Sequence, residues 1–195
     1  MSERMNFKDH VEGAVMSPRE IGDRAKVWSL WEFECVGHSG RQKWADKVKN
    51  MVVDEGLEKL LGIMFGGSSQ YGTWYVGLVN GSSVTPAGSW QYTGIGSNFT
   101  ENTTYTASNR QTFTPGAVAS KQISNSGSKA SFTVSGSSQI TVCGAFLCAG
   151  PNAATKGNNA GGNIIYALSQ FSSGSKTLDP SDVLKVTITL TAADS

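Results

Sequence analysis

Apolar positions along this chain fall into short runs interleaved with polar ones, and one stretch breaks that rhythm. From Lys26 to Val36, Trp31, Phe33 and Cys35 alternate with Glu32 and Glu34 at the period of two that sends successive side chains to opposite faces of a strand. Gly37-His-Ser-Gly40 supplies turn residues, so residues 41–50 read as the second strand of a hairpin. Trp44, Val48 and Val52 would also fit a helical row. The preceding turn favours a strand paired with residues 27–36, with Glu and Lys facing each other on its wet side. The exception to the strand rhythm is residues 51–67. There Leu57, Leu60, Leu61 and Met64 stand at i, i+3, i+4 and i+7 and predict an amphipathic helix with this stripe buried and Glu55, Glu58 and Lys59 solvated. Asp54 is placed to cap its start, and Gly66-Gly67 can supply the left-handed residue that ends it.

Beyond the helix the strand rhythm returns. Residues 73–79 are aromatic and β-branched, with the turn signal Asn80-Gly81 behind them. Further strands are expected at 102–107, 111–114, 117–123, 129–134, 139–147, 164–169 and 183–191, separated by turn residues. The last alternates most cleanly, with Val186, Ile188 and Leu190 on one face and Thr187 and Thr189 on the other. Residues 178–182 form the turn that leads into it. Many short strands without an internal repeat predict a mainly β protein, an antiparallel β-sandwich of the jelly-roll or immunoglobulin-like kind. The expected division is an extended N-terminal arm (1–25), a hairpin plus short helix (26–67) and the sandwich (68–195). In the arm, charges lack periodicity, and it reads either as a floppy terminus or as a grip on a neighbouring subunit through Val11, Val15, Met16 and Ile21. Two long loops, 80–101 with Trp90, Tyr92 and Phe99, and 150–162, read either as contact regions or, for these aromatics, as segments that fold back on the core.

Composition sharpens this reading. Only 16% of residues are charged while Gly reaches 23 residues, a balance that suits strands joined by tight turns better than helices. A formal charge of +1 gives no field to gather nucleic acid or an acidic membrane, so neither is an expected partner. No run approaches the roughly 18 apolar residues that span a bilayer, and the first residues lack an apolar signal core, so retention without secretion is expected. Three cysteines are an odd number, and the odd separation of Cys143 and Cys148 would place them on opposite faces of a strand, so free structural thiols are expected.

Candidate chemistry is sparse. His10 and His38 have no partner at ligand spacing, so no metal site or other cofactor is expected. Gly94-Ile-Gly96 is two loop glycines, and Ser126-Gly-Ser-Lys129 matches a Ser-x-x-Lys pair at the frequency a Ser-rich chain produces by chance. Glu101, Asp179, Asp182 and Asp194 are the only carboxylates after residue 66, and a glycosidase needs two facing each other across a cleft. No catalytic residue is assigned, and a carbohydrate-active enzyme of sandwich type is the least supported class.

The run from Trp44 through Asn50-Met-Val-Val-Asp-Glu-Gly-Leu57 and the helix to Thr73-Trp-Tyr-Val-Gly-Leu-Val79 resembles a pattern in structural proteins of tailed-bacteriophage virions. In that pattern a charged hairpin leads into a short helix and then a Trp-Tyr-Val/Ile-Gly-Leu strand. The likeness spans about residues 27–80 and continues more loosely as a Ser/Thr/Gly-rich sandwich. It implies a non-enzymatic virion component, made in the host bacterial cytoplasm and described variously as head decoration (cement), head-fibre or tail-associated protein. The expectation is a capsid decoration protein whose partners are the major capsid protein or another virion protein. It would act as a homo-oligomer, most simply a trimer, docking through its arm and hairpin. The alternative is a tail or fibre component that binds host glycan through its aromatic loops. Trp28, Trp31, Trp44, Trp90, Tyr92 and Phe99 are the expected partner-binding side chains, because large aromatics dominate interface energy; the alternative is that Trp28, Trp31 and Trp44 fill the monomer core and the arm is idle.

Overall fold

The computed structural model describes residues 26–81 and 84–193; the expected arm, His10 and Asp194 lie outside them. The described chain runs β1 (Lys26–Val36), β2 (Gln42–Met51), α1 (Asp54–Phe65), β3 (Trp74–Asn80), β4 (Glu101–Asn102), β5 (Gln111–Phe113), β6 (Gln122–Ser124), β7 (Ala130–Thr133), β8 (Ile140–Ala149), β9 (Ile164–Gln170), β10 (Lys176–Leu178) and β11 (Val183–Ala193). All named strand pairs are antiparallel, and they make the two sheets of a β-sandwich.

In the first sheet β1 lies between β2 and β11, and the far edge of β11 is shared end to end by β7 and β6. The pairing of β1 with β2 sets Glu32 opposite Lys47, and their ion pair at 2.8 Å is the cross-strand contact that the hairpin pattern predicts. In the second sheet β8 is central, with β3 on one edge and β9 and β10 on the other; β5 and β4 share the outer edge of β3. The seams between the sheets are stitched as well. Val52 bridges to Ala167 on one side, Tyr105 bridges to Val134 on the other, and the Thr106 amide donates to the Thr133 carbonyl at 2.9 Å. Such closure occupies backbone groups that a bare sheet edge would offer to other chains.

Alternation decides what fills the space between the sheets. Trp31, Phe33 and Cys35 of β1 and Leu184, Val186 and Ile188 of β11 point inward against Val76, Leu78, Ala145 and Leu147 of the second sheet. Phe171 closes one side, edge-on to Phe33 at 4.6 Å. The second sheet is also buried on its outer face. Val79, Phe146, Cys148 and Leu168 form a second core there with Tyr92, Ile95 and Phe99 from residues 84–100 and Ala153 from the loop after β8. Gly77 allows this close layering, since a Cβ at that position would stand 2.3 Å from the Phe146 ring.

Several expectations need correction. The hairpin is not a unit apart from a sandwich beginning at residue 68, because β1 pairs with β11 along its whole length as a central strand. Strand 102–107 shrinks to two residues, strand 117–123 is replaced by a turn with positive φ at Ser120 and Lys121 before β6, and β10 was not anticipated. Cys143 and Cys148 lie in the same outer core and not on opposite faces. The cause is a bulge: Val79 pairs with Gly144 but Asn80 pairs with Val142, so Cys143 is an extra residue that flips the parity of the strand. All three thiols are free and buried, and burial pushes them up, Cys35 and Cys143 to about 11 and Cys148 to about 12.

Candidate contact surface

Helix α1 is fixed by its first turn. Val53, not Asp54, is the N-cap residue, and no side chain caps it. Tertiary partners replace the cap: the Val53 amide donates to the Tyr166 carbonyl at 3.0 Å, and the Asp54 amide donates to the Gly88 carbonyl at 2.8 Å. Glu55 turns away from solvent, its carboxylate accepting from the amides of Tyr92 at 2.9 Å and Ile165 at 2.7 Å. Burial raises its pKa, and the two amide bonds oppose that rise. Gly56 lies directly on β9, where a Cβ would come within 2.4 Å of the Tyr166 carbonyl oxygen. At the other end Gly67 takes a φ of +68°, and the amides of Gly66 and Ser68 both donate to the Gly62 carbonyl, the left-handed ending that the two glycines predict.

Held at its start, the helix leaves its C-terminal half uncovered. Leu57 and Leu60 pack against the inter-sheet core, but Leu61, Met64 and Phe65 are 57%, 63% and 80% exposed. The expected buried stripe is therefore half right. Its correction follows from the helix axis: the line that carries Gly56 sets the contact with β9, and Leu61 and Phe65 lie well round the helix from it. With Val118 these three make up the exposed large hydrophobic residues among the described residues.

On the other flank of α1 the sandwich has an open end. An apolar mouth of about 470 Å³ lies where β1 begins and β11 ends, with Leu60, Trp74, Phe113, Leu147, Tyr166 and Leu190 among its walls. Trp74 is held edge-on by Tyr166 at 5.6 Å and by Tyr71 at 6.1 Å. Thr191, also in the wall, has a buried hydroxyl without a partner among the described residues.

The expected aromatic loops behave differently. Tyr92 and Phe99 are buried beneath their own segment, and Trp90, half-buried, stacks on Phe99 at 5.5 Å. They are pinned by Arg110, a residue that sequence reasoning passed over. Its guanidinium pairs with Glu101 at 2.6 Å, both side chains being almost wholly buried. It also donates to the Tyr92 hydroxyl, to the Ala153 carbonyl at 2.9 Å and to the Asn158 carbonyl at 3.0 Å. Burial works against the charge, but Glu101, Cys148 and Tyr92 together more than offset it and the pKa is raised. A signal was present: Glu101 and Arg110 are the only charged residues between Lys59 and Lys121.

The remaining side chains singled out from sequence are dispersed. Trp31 is buried between the sheets; Trp44 is half-buried beside Phe171 at 5.5 Å; Trp28 is half-buried with the Lys49 ammonium 3.9 Å above its ring. Glu101 is committed to Arg110, while Asp179 and Asp182 both hold Lys43, at 2.5 and 2.6 Å. Lys129 pairs with Glu34 at 3.0 Å, so its spacing from Ser126 reflects a turn. His38 is exposed in the hairpin turn. No three His, Cys, Asp or Glu side chains cluster as a metal site among the described residues, and no described helix is long and apolar enough to cross a membrane.

The chain is thus a mainly β sandwich protein whose distinctive surface is apolar and sits at one end, around α1. No protein-family model, curated protein or solved structure matches it significantly.

Proposed function

We propose that this protein is a non-enzymatic structural component of a bacteriophage virion, a capsid decoration protein that binds the head shell as an oligomer. The observation that carries this reading is the exposed ridge Leu61, Met64 and Phe65, which lies within the stretch that resembles virion proteins. Three large apolar side chains on little more than one helical turn are stabilised by a partner surface and not by water. A partner of the major-capsid kind, or a second copy, would cover them. The end of the domain around α1 is then the docking end, and the stitched sandwich is the rigid body it holds in place. The glycan-binding alternative has less support, since of its three loop aromatics only Trp90 retains exposed surface.

Electron microscopy of purified virions, with an antibody against the protein, tests the reading. Label distributed over the head is expected; label confined to the tail, or absent from particles, overturns it.

A further inference from the structure

The open mouth of the sandwich needs an occupant. Its volume would hold on the order of fifteen waters at liquid density, against walls that are largely apolar. Water there would gain few hydrogen bonds. The first apolar residue of β1, Val27, is itself part of the wall. Residues 1–25 therefore join the domain at this opening.

We propose that the mouth is the docking site of the chain's own N-terminal segment, which seats Ile21 and the pair Val15-Met16 against Trp74, Phe113 and Leu190. Reach permits it. Four residues separate Ile21 from Lys26, so the five steps between them span at most about 17 Å. Gly22-Asp23 provides turn chemistry that lets the chain fold back over the opening it has just left, and Pro18 favours a second bend between Ile21 and the Val15-Met16 pair. Covalent attachment favours this occupant over any other, because a short linker holds the segment at an effective concentration on the order of millimolar. A free peptide or a second copy has to exceed that. The inference does not depend on which assembly the protein joins.

Disulfide trapping in the full-length chain tests it. Ile21→Cys and Val118→Cys are combined, Val118 being an exposed residue of the mouth's wall, and the protein is oxidised mildly and run on a non-reducing gel. The three native thiols are buried and stay out of the reaction. A cross-linked species of monomer size, absent from either single variant, is expected. Cross-links only between chains would assign the site to a second copy, and no cross-link at all would leave the mouth without the segment; either result overturns the proposal. Full-length Ile21→Asp provides an independent reading: binding of an apolar fluorescent dye rises severalfold if the segment normally covers the mouth, and stays at the wild-type level if it does not.

Discussion

Two regions of this protein carry aromatic and apolar side chains outside the inter-sheet core, and they meet opposite fates. On the outer face of the second sheet, residues 84–100 and 150–163 fold down as a third layer, and their polar groups are consumed by Arg110, Glu101 and Glu55. Around α1, Leu61, Met64 and Phe65 face outward beside an apolar opening with little polar chemistry to anchor anything. The first region spends its aromatics on its own stability. The second keeps them for something else, and a surface left in that condition points to contact.

The sharpest way to break the comparison is at Arg110. Its five N–H donors meet a carboxylate, a hydroxyl and two carbonyls in a site closed to water, so Arg110→Met leaves Glu101 buried and unpaired. Loss of one partner of such a pair costs about 3–5 kcal/mol. Urea denaturation is expected to show a loss of that size, with proteolysis beginning in the two long loops. A loss well below 1 kcal/mol would mean that the outer layer is held by its aromatics alone.

A second contrast lies within the helix. Leu60 packs against the inter-sheet core, whereas its neighbour Leu61 is mostly exposed. Leu60→Asp places a charge against apolar walls and removes packing, with an expected cost of about 2–4 kcal/mol. The same substitution at Leu61 is expected to leave the melting temperature almost unchanged. Equal losses at both positions would show that the ridge is covered within the monomer.

How much of this was legible in the sequence follows from range. Alternation in β1 and β11 is a local signal, and Trp31, Phe33, Val186 and Ile188 face inward as their spacing says. The parity of Cys143 and Cys148 was not legible, because a single bulge at residue 143 reverses every inference drawn from spacing across it. The burial of Tyr92 and Phe99 depends on Arg110 and on residues 153 and 158, far along the chain, so loop composition left contact surface and core both open where the fold builds a core. The helix failed for a related reason. Its hydrophobic stripe was read correctly as a stripe, but which part of it meets the protein is set by Gly56 on the Tyr166 carbonyl, a contact between distant segments.

Glu55 joins the two regions, since a carboxylate on α1 holds the amides of Tyr92 and Ile165. Glu55→Ala strands both donors in a half-buried site, and a loss of about 1–3 kcal/mol is expected. Glu55→Gln keeps a neutral acceptor oxygen for both amides without the buried charge, and should be at least as stable as the wild type at neutral pH. Because the folded pKa of Glu55 is raised above its unfolded value of 4.5, the folded state binds the proton more tightly. This group's contribution therefore falls as pH rises from about 4.5 through the folded pKa, and Glu55→Gln removes that fall. Stability curves measured for both proteins from acid to neutral pH should converge at low pH and separate as pH rises; parallel curves would contradict a buried, titrating Glu55.

The smallest expected change in stability is also the most telling about function. Phe65 is 80% exposed, so Phe65→Asp removes almost no buried surface, and a change within about 0.5 kcal/mol is expected in urea denaturation. Solubility should hold or improve, because a charge breaks up an exposed apolar ridge. If that ridge is the docking surface, the same substitution places a carboxylate at the centre of an apolar interface, where a desolvated and unpaired charge is strongly unfavourable. Assembly is then lost although the fold is intact. Sedimentation of the variant with virions lacking the wild-type protein measures this directly, with Glu58→Lys as a control for charge alone on the same helix. Retained binding by Phe65→Asp, at an occupancy equal to wild type, would move the contact away from α1 and leave the exposed ridge without a role in the assembly.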